Sequence, residues 1–341
     1  VYSAMRTTFF LIFIFMEKIS MWKFCMKKTL RVVVVMFLIS FLSFAVIYFA
    51  PGDISSMYIT PEMSKEQKAN IMAELGLDKS MIEQYMSWAE RAIHGDLGMS
   101  LSNKSSVWPQ IQQRLPATIL LMGCSMILSL LLAIPLGLWA GLKKNTWIDN
   151  LFSSLTYMGI SIPSFWFGML LIILFSSVLK LLPSSGMHTV GNVSAFDTFK
   201  HLILPCITLS IGRLAIYIRY IRANAIGQLS EEYVLTAEAK GDSQMKILFK
   251  HVLKNTLLPI ITLMGMNLSS LVCGSFIVES VFGWPGVGTL AMTAINSRDY
   301  PIIMAYVMLS GFLLVLGNFL ADLLYAFVDP RIKRGGVESG R

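Results

Sequence analysis

The residues of this sequence that could carry chemistry are a few polar side chains set within long apolar stretches. A charged or strongly polar group is costly inside a membrane, so each is expected to contact a polar ligand or to pair with another group. Arg213 could meet a ligand carboxylate or could pair with Asp322, and both alternatives stay open. The candidate residues for a path through the protein are Pro163, Arg213, Asn267, Glu279 and Asp322, with Asn318 as a further polar residue of the last apolar stretch.

Pro163 is predicted to break the apolar helix that surrounds it, because proline lacks the N–H that a helical hydrogen bond needs. Irregular backbone is tolerated at membrane depth only where it lines a cavity or is buried in protein. Phe165 and Trp166 follow the break and are interpreted as packing residues rather than binding residues.

Signals of an active site are weak throughout the sequence. Gly159-Ile160-Ser161 is a faint serine-hydrolase pattern, but no histidine lies in a matching span. His94, His188 and His201 lack the spacing of metal ligands. The sequence also contains no G-x-x-x-x-G-K-[ST] phosphate loop. We therefore expect no catalytic residue, no metal site and no cofactor bound by this chain, so it is not predicted to be an enzyme.

Composition indicates an all-α polytopic membrane protein. The chain has 341 residues, of which 55% are hydrophobic and 14% charged, whereas soluble domains carry roughly 25% charged residues. Uncharged apolar runs reach the length of about 20 residues that a membrane-spanning helix needs. Six transmembrane helices are predicted, at 31–50, 117–141, 150–180, 201–222, 259–281 and 302–328.

The distribution of Lys and Arg predicts that both ends of the chain are cytoplasmic. Membrane proteins keep an excess of these residues in their cytoplasmic loops. With both ends inside, nineteen lie on the cytoplasmic side, and the short outer segments hold only Lys180, Lys200 and Arg298. The net charge of +8 therefore fits a membrane surface, and no nucleic-acid partner is expected.

This topology divides the chain into five parts. They are a cytoplasmic or interfacial N-terminal segment (1–30), the first transmembrane helix (31–50), an extracytoplasmic segment (51–114), a five-helix core (115–330) with a cytoplasmic loop at 223–258, and a cytoplasmic tail (331–341). Two interpretations of residues 1–25 stay open, a flat interfacial helix or a stretch that precedes a natural start at Met26. Residues 63–90 are expected to form short helices interrupted at Gly76.

The most informative stretch is the cytoplasmic loop, which is predicted to fold as helix, turn and helix. Glu231 and Glu232 suit a first helical turn, where the helix dipole favours anions. Gly241 is a natural left-handed stop, and Asp242 is expected to cap the next helix. Ile247, Leu248, His251 and Val252 share one face of that helix.

The loop resembles the cytoplasmic coupling loop of binding-protein-dependent ABC importer permeases, in particular the B-type permeases for dipeptides, oligopeptides and nickel. The family pattern is present as Tyr233 to Gly241 and His251 to Pro259. Further pieces in the family's order are Pro51-Gly52-Asp53, Gly95-Asp96-Leu97-Gly98, Leu115-Pro116-Ala117-Thr118, Ser161-Ile162-Pro163-Ser164, Leu182-Pro183-Ser184-Ser185-Gly186, Trp284-Pro285-Gly286-Val287-Gly288, Arg298-Asp299-Tyr300-Pro301 and Asp329-Pro330-Arg331. The Trp284-Pro285-Gly286 piece is expected to form a turn at the outer surface.

The resemblance implies a type I ABC importer permease in the bacterial inner membrane. It also implies a homologous second permease, two cytoplasmic ATPase subunits that use the ATP, and an extracytoplasmic substrate-binding protein. By the same resemblance, the residues that couple to the ATPase are Tyr233, Ala237, Ala239, Lys240, Gly241, His251 and Asn255. Lys254 stands where many other importer permeases have Leu-Pro, which is typical of the peptide and nickel branch.

The resemblance implies uptake of di- or oligopeptides, and two alternatives remain open from the sequence. Nickel or a nickel chelate is an alternative cargo within the same branch of the family. An ion-coupled secondary transporter is a more distant alternative, since it usually needs a carboxylate cluster at mid-membrane and a repeat of broken helices. Here only Asp322 lies deep in a predicted span, and no such repeat is evident.

Overall fold

The computed structural model describes residues 26, 29–49, 63–74, 78–266 and 275–328. Regular structure within these ranges is helical, apart from isolated bridges between Met99 and Ser106 and between Thr189 and Asn192. Several sequence-based predictions lie outside the described residues. They concern residues 1–25, Asn267, the tail at 331–341 and the side chains of Pro259 and Asp322.

The chain forms two compact units, of which the first comprises Val1–Met86. Its described helices are α1 (Thr29–Tyr48), α2 (Lys65–Glu74) and the start of α3 (Met81–Ile93). Tyr85 is buried against the apolar helix α1, where its hydroxyl lies 2.9 Å from Ser40 Oγ and its ring packs edge-on against Phe41. The two helices predicted in the outer segment are therefore present, on either side of Gly76.

The second unit comprises Ser87–Arg341. Its helices are α4 (Val107–Leu142), α5 (Trp147–Ser161), α6 (Ser164–Leu171, continued by a π-helical segment Ile172–Val178), α7 (Ala195–Leu229), α8 (Glu232–Ala239), α9 (Gln244–Ile247, continued by a π-helical segment Leu248–Val252), α10 (Leu253–Met266), α11 (Phe276–Val281), α12 (Val287–Asn296) and α13 (Tyr300–Val328).

Helices α1, α4, α7 and the part Tyr300–Phe319 of α13 are long and apolar enough to cross a membrane. Helices α5 and α6 together pass the same test as a pair bent by 99°. Pro163 lies at this bend with extended backbone, which confirms the predicted break. The described helices thus account for four or five spans. The predicted span at 259–281 corresponds to parts of α10 and α11 separated by residues outside the described ranges.

Helices α4 and α7 pack closely because small residues line their contact. A Cβ added at Gly137 would lie 2.7 Å from Ile221 Cβ, and one at Gly141 would lie 2.9 Å from Ala225 Cβ. Ser210 Oγ also donates to the carbonyl of Ser125 across the two helices, at 3.0 Å. Small residues and interhelical hydrogen bonds replace the hydrophobic effect in holding membrane helices together, so this pair is the rigid centre of the second unit.

Candidate functional site

The turn between α8 and α9 is a Schellman motif centred on Gly241. The N–H of Gly241 donates to the carbonyl of Glu238 (2.9 Å), and the N–H of Asp242 donates to the carbonyl of Ala237 (3.1 Å). Gly241 has a φ of +80°, in the region that L-residues other than glycine rarely adopt. The predicted helix–glycine–helix arrangement is therefore present.

Ser243, and not Asp242, caps α9, since the Ser243 side chain accepts from the N–H of Lys246. The prediction that Asp242 would be the cap was wrong by one residue, because Asp242 completes the Schellman turn. Its carboxylate instead pairs with the Lys246 ammonium and lies 3.7 Å from His251 Nε2. The Lys246 hydrogen bond is the main cause that holds the pKa of Asp242 below its usual value. These contacts tie the turn to the helix that follows it.

The inner face of this loop belongs to the core of the second unit. Val234 (2% exposed) and Ala237 of α8 are buried, as are Ile247 and Leu248 at the start of the following helix. They form one apolar cluster with residues of α4 and α7, including Leu138, Ile221 and Ala225. Helix α8 is therefore packed directly against α4 and α7.

The outer face of α8 is open. Leu235 is 61% exposed, and its exposed neighbours are Glu232, Thr236, Ala239 and Lys240. This surface combines one large apolar side chain with a small one and with charges, which suits contact with another protein.

The predicted ATPase-coupling residues divide between these two faces. Ala239, Lys240 and Gly241 are exposed. Ala237 packs inward, and Tyr233 is half-buried with its hydroxyl donating to Gln228 Oε1 at 2.8 Å. His251 and Asn255 are half-buried on the second helix. Leu235 was not among the predicted residues, although a 3.6-residue period places it beside Ala239 and away from the buried pair Val234 and Ala237.

Glu279, a predicted path residue, lies in an enclosed polar network that joins α11, α12 and α4. Its carboxylate is 0% exposed and accepts from Thr118 Oγ1 (3.0 Å) and from the N–H of Thr289 (3.0 Å). Thr118 Oγ1 in turn accepts from the N–H of Val287 (2.8 Å). Both N–H groups belong to the first turn of α12, whose helix dipole favours a carboxylate there. This arrangement gives Glu279 a structural role.

Two glycines and a tryptophan complete this network. A Cβ at Gly286 would collide with the Glu279 carboxylate and with Thr118 Oγ1, and one at Gly288 would lie 2.6 Å from Glu279 Oε2. Trp284 is fully buried, and its indole N–H donates to the carbonyl of Ala117 at 2.8 Å. The sequence analysis predicted that Trp284-Pro285-Gly286 forms a turn at the outer surface. The structure instead buries Trp284 and leaves Pro285 exposed.

The other predicted path residues are not brought together by the described contacts. Arg213 Nη1 donates to Ser125 Oγ at 3.0 Å, between α7 and α4. Asn318 is exposed on α13. The proposed partnership of Arg213 with Asp322 stays a prediction, since the side chain of Asp322 lies outside the described residues.

A second buried carboxylate, missed in the sequence analysis, holds the outer segment to the corner between α12 and α13. Asp299 is fully buried and accepts from Ser100 Oγ, Ser102 Oγ and the N–H groups of Leu101 and Ser102. Burial raises the pKa of Asp299, but these hydrogen bonds outweigh it and hold the pKa below its usual value.

Comparison with known proteins gives consistent results along the chain. Residues 133–334 match the family described as binding-protein-dependent transport system inner membrane component, and residues 21–122 match the N-terminal part of such components. The oligopeptide transport system permease protein AppB of Bacillus subtilis (strain 168) is 38% identical over 312 residues, which cover 91% of this chain and 99% of that protein.

The dipeptide transport system permease protein DppB of Escherichia coli (strain K12) is 35% identical over 318 residues, 86% of this chain and 94% of that protein. A solved structure of the MetNI methionine ABC transporter in inward-facing conformations aligns with a TM-score of 0.44 and 19% identity, over 66% of this chain and 95% of the other.

Proposed function

The chain belongs to the family of binding-protein-dependent transport system inner membrane components, and from this premise we propose that its cargo is a di- or oligopeptide. Membership makes it a multi-pass permease subunit of an ABC importer in the bacterial inner membrane. The cargo is supported by similarity to proteins named for oligopeptide, dipeptide and glutathione transport, at 34–38% identity over most of the chain.

The permease acts with other subunits, as its family implies. The proposed assembly pairs this chain with a homologous second permease, two cytoplasmic ATPase subunits and an extracytoplasmic substrate-binding protein. Hydrolysis of ATP by the separate ATPases supplies the energy, and this chain converts their motion into a change of access across the membrane.

The single observation that supports this division of labour is the two-faced helix α8. Its inner residues Val234 and Ala237 are part of the close-packed core at the ends of α4 and α7, while Leu235 stands 61% exposed on the other side. A partner protein that binds Leu235 can therefore move α4 and α7 together with α8, because no flexible segment separates α8 from these two spans. We assign Leu235, Ala239, Lys240 and Gly241 to the contact with the ATPase.

The test replaces Leu235 with glutamate in the complete importer, reconstituted in proteoliposomes with its binding protein. Burying a leucine side chain at an interface contributes about 1.5–3 kcal/mol, so ATPase affinity and ATP-driven peptide uptake should fall at least about tenfold. Met245→Glu is the matched control, because Met245 is equally exposed (59%) on α9 but is not assigned to the contact. Equal uptake by the Leu235→Glu variant and the wild type would contradict the proposal.

Competition during uptake identifies the cargo. Unlabelled dipeptides and tripeptides should compete with a labelled peptide, whereas free amino acids and nickel chelates should not. If the importer took up nickel and peptides did not compete with this uptake, the cargo would be nickel and not a peptide.

A further inference from the structure

A cavity of about 570 Å³ lies between α5 and α7, apart from the coupling surface of α8. Its polar lining includes the hydroxyls of Ser153 and Thr156, the rings of Tyr157 and Tyr220, and the guanidinium of Arg219. Both helices belong to the second unit of the protein. The cavity is large enough for a small polar group.

Two cations line the cavity, Arg219 and Arg222, and they differ in their partners. Arg222 is held by a bidentate contact with Asp149, with its Nη2 at 2.7 Å from Asp149 Oδ2. Arg219 lies with its guanidinium carbon 4.9 Å from the centre of the Tyr157 ring, and no ion pair joins it to a carboxylate of the described residues. The tyrosine ring fixes the position of the guanidinium without neutralising it, so the cavity favours an anion.

The position along the helices places this cation near the cytoplasmic surface of the membrane. The distribution of Lys and Arg assigns the start of α5 and the end of α7 to that side. The pair of Arg222 with Asp149 joins α7 to the first turn of α5, and Arg219 lies about 4.5 Å further into the membrane, one helical turn away. Trp147, at the start of α5, is 73% exposed, as expected of an aromatic residue at the interface.

The rim of the cavity is apolar toward the membrane interior. Ile216, which lines the cavity on α7, is 43% exposed and lies one turn from Arg219, on the side of the membrane interior. A ligand that suits both parts has an anionic head and hydrocarbon chains. Basic pockets between membrane helices on the cytoplasmic side are sites where anionic lipid headgroups bind.

We propose that this cavity binds the headgroup of an anionic phospholipid of the inner leaflet. Arg219 contacts the phosphate, the hydroxyls of Tyr220 and Ser153 donate hydrogen bonds to its oxygens, and the acyl chains lie along Ile216. The site gives the importer a preference for anionic membranes that is separate from its cargo and from its ATPases.

The test measures lipid binding to the complete importer in detergent by native mass spectrometry, with phosphatidylglycerol and phosphatidylcholine as probes. One basic residue near a membrane surface contributes about 1 kcal/mol to binding of anionic lipid, so Arg219→Gln should weaken phosphatidylglycerol binding about fivefold and leave phosphatidylcholine unchanged. Lys200→Gln is the matched control, because it removes a cation that lies 4.7 Å from the Phe196 ring at the other end of the same helix.

A second variant guards against a folding defect. Ala223→Glu places a carboxylate in the exposed lining of the cavity and keeps Arg219 over Tyr157, so it should also weaken phosphatidylglycerol binding severalfold. Unchanged phosphatidylglycerol binding in both variants would overturn the proposal.

Cargo is the other anion that could reach this cavity. If Arg219→Gln reduced uptake of a peptide with a free C-terminal carboxylate, spared its C-terminal amide and left lipid binding intact, the cavity would belong to the cargo path and the lipid proposal would fail. Since the lipid measurement involves no transport, its result is independent of the proposed peptide cargo.

Discussion

Replacing Thr118 with valine should destabilise the second unit more than any other isosteric change of a buried threonine in its helices. The Thr118 hydroxyl donates to Glu279 Oε1 and accepts from the N–H of Val287, and the side chain is 0% exposed. Valine has nearly the same shape, so the change leaves no cavity. It removes both hydrogen bonds and leaves a buried N–H and part of a buried carboxylate without a partner.

The magnitude follows from those two losses. A hydrogen bond to a charged group contributes about 1.5–3 kcal/mol, and leaving a buried donor unsatisfied costs about 1–3 kcal/mol, so the sum is about 2–4 kcal/mol after partial relaxation. For a unit of this size each kcal/mol lowers Tm by about 2–4 °C. The purified variant should therefore melt about 4–16 °C below the wild type.

The assay is thermal unfolding of the purified protein, followed by circular dichroism, with two comparison variants. Thr208→Val removes a hydroxyl that is equally buried but bonds only the carbonyl of Leu204 on its own helix. Even hydrogen bonds between different membrane helices average only about 0.6 kcal/mol, and Thr208→Val leaves no partner on another helix unsatisfied, so the shift should be at most about 1–2 °C. Thr118→Ser keeps the hydroxyl and should restore most of the loss. Equal shifts for both valine variants would refute the structural role given to the network of Glu279.

Two other predictions concern Gly241 and Asp299. Gly241→Ala should cost about 1–2 kcal/mol and reduce peptide uptake per ATP hydrolysed, because the added Cβ meets no atom but the φ of +80° is strained. Gly227→Ala, equally open but within α7, should leave uptake unchanged and stabilise the protein by up to about 1 kcal/mol. An equal loss of uptake in the two variants would rule out backbone strain as the cause. Asp299 has a lowered folded pKa, so the stability it contributes is complete above the unfolded pKa of about 3.9 and is lost as the pH falls through the folded pKa. Asp299→Asn should lower Tm at pH 7 and weaken the loss of stability below pH 4, whereas an unchanged acid-unfolding profile would show that other carboxylates govern it.

Local features of the fold could be predicted from the sequence where one residue type decides the conformation. Gly241 is such a case, because glycine is the residue that adopts a positive φ readily at the end of a helix. Pro163 is another, because proline has no N–H for a helical hydrogen bond. The cap of α9 was misplaced by one residue, because Asp242 and Ser243 are both good caps and only the length of the Schellman turn selects between them. Helix α4 begins at Val107, before the expected start of the core at 115. The prediction missed its first turns because they carry polar residues and do not resemble a membrane span.

Features that depend on distant partners could not be predicted. Glu279 was predicted as a path residue because it is a carboxylate among apolar residues, and its contact with Thr118, 161 positions away, could not be predicted. Asp299 belongs to a piece of the family resemblance, but its role could not be predicted because its donors Ser100 and Ser102 are about 200 positions away. The open face of α8 was predicted only in part. Ala237 and Ala239 are both alanines, and they differ only in the side of the helix on which they lie.

The most direct test determines on which side of the membrane the segment from Glu232 to Val252 lies. The ATPase can reach this segment only from the cytoplasm. Lys240→Cys, at an exposed position, should react with a membrane-impermeant maleimide in inverted membrane vesicles and not in right-side-out vesicles. The labelling of the four native cysteines, measured on the wild-type protein, is subtracted. Val190→Cys, at a fully exposed position of the loop before α7, should show the opposite pattern. Labelling of Lys240→Cys in right-side-out vesicles would contradict the account.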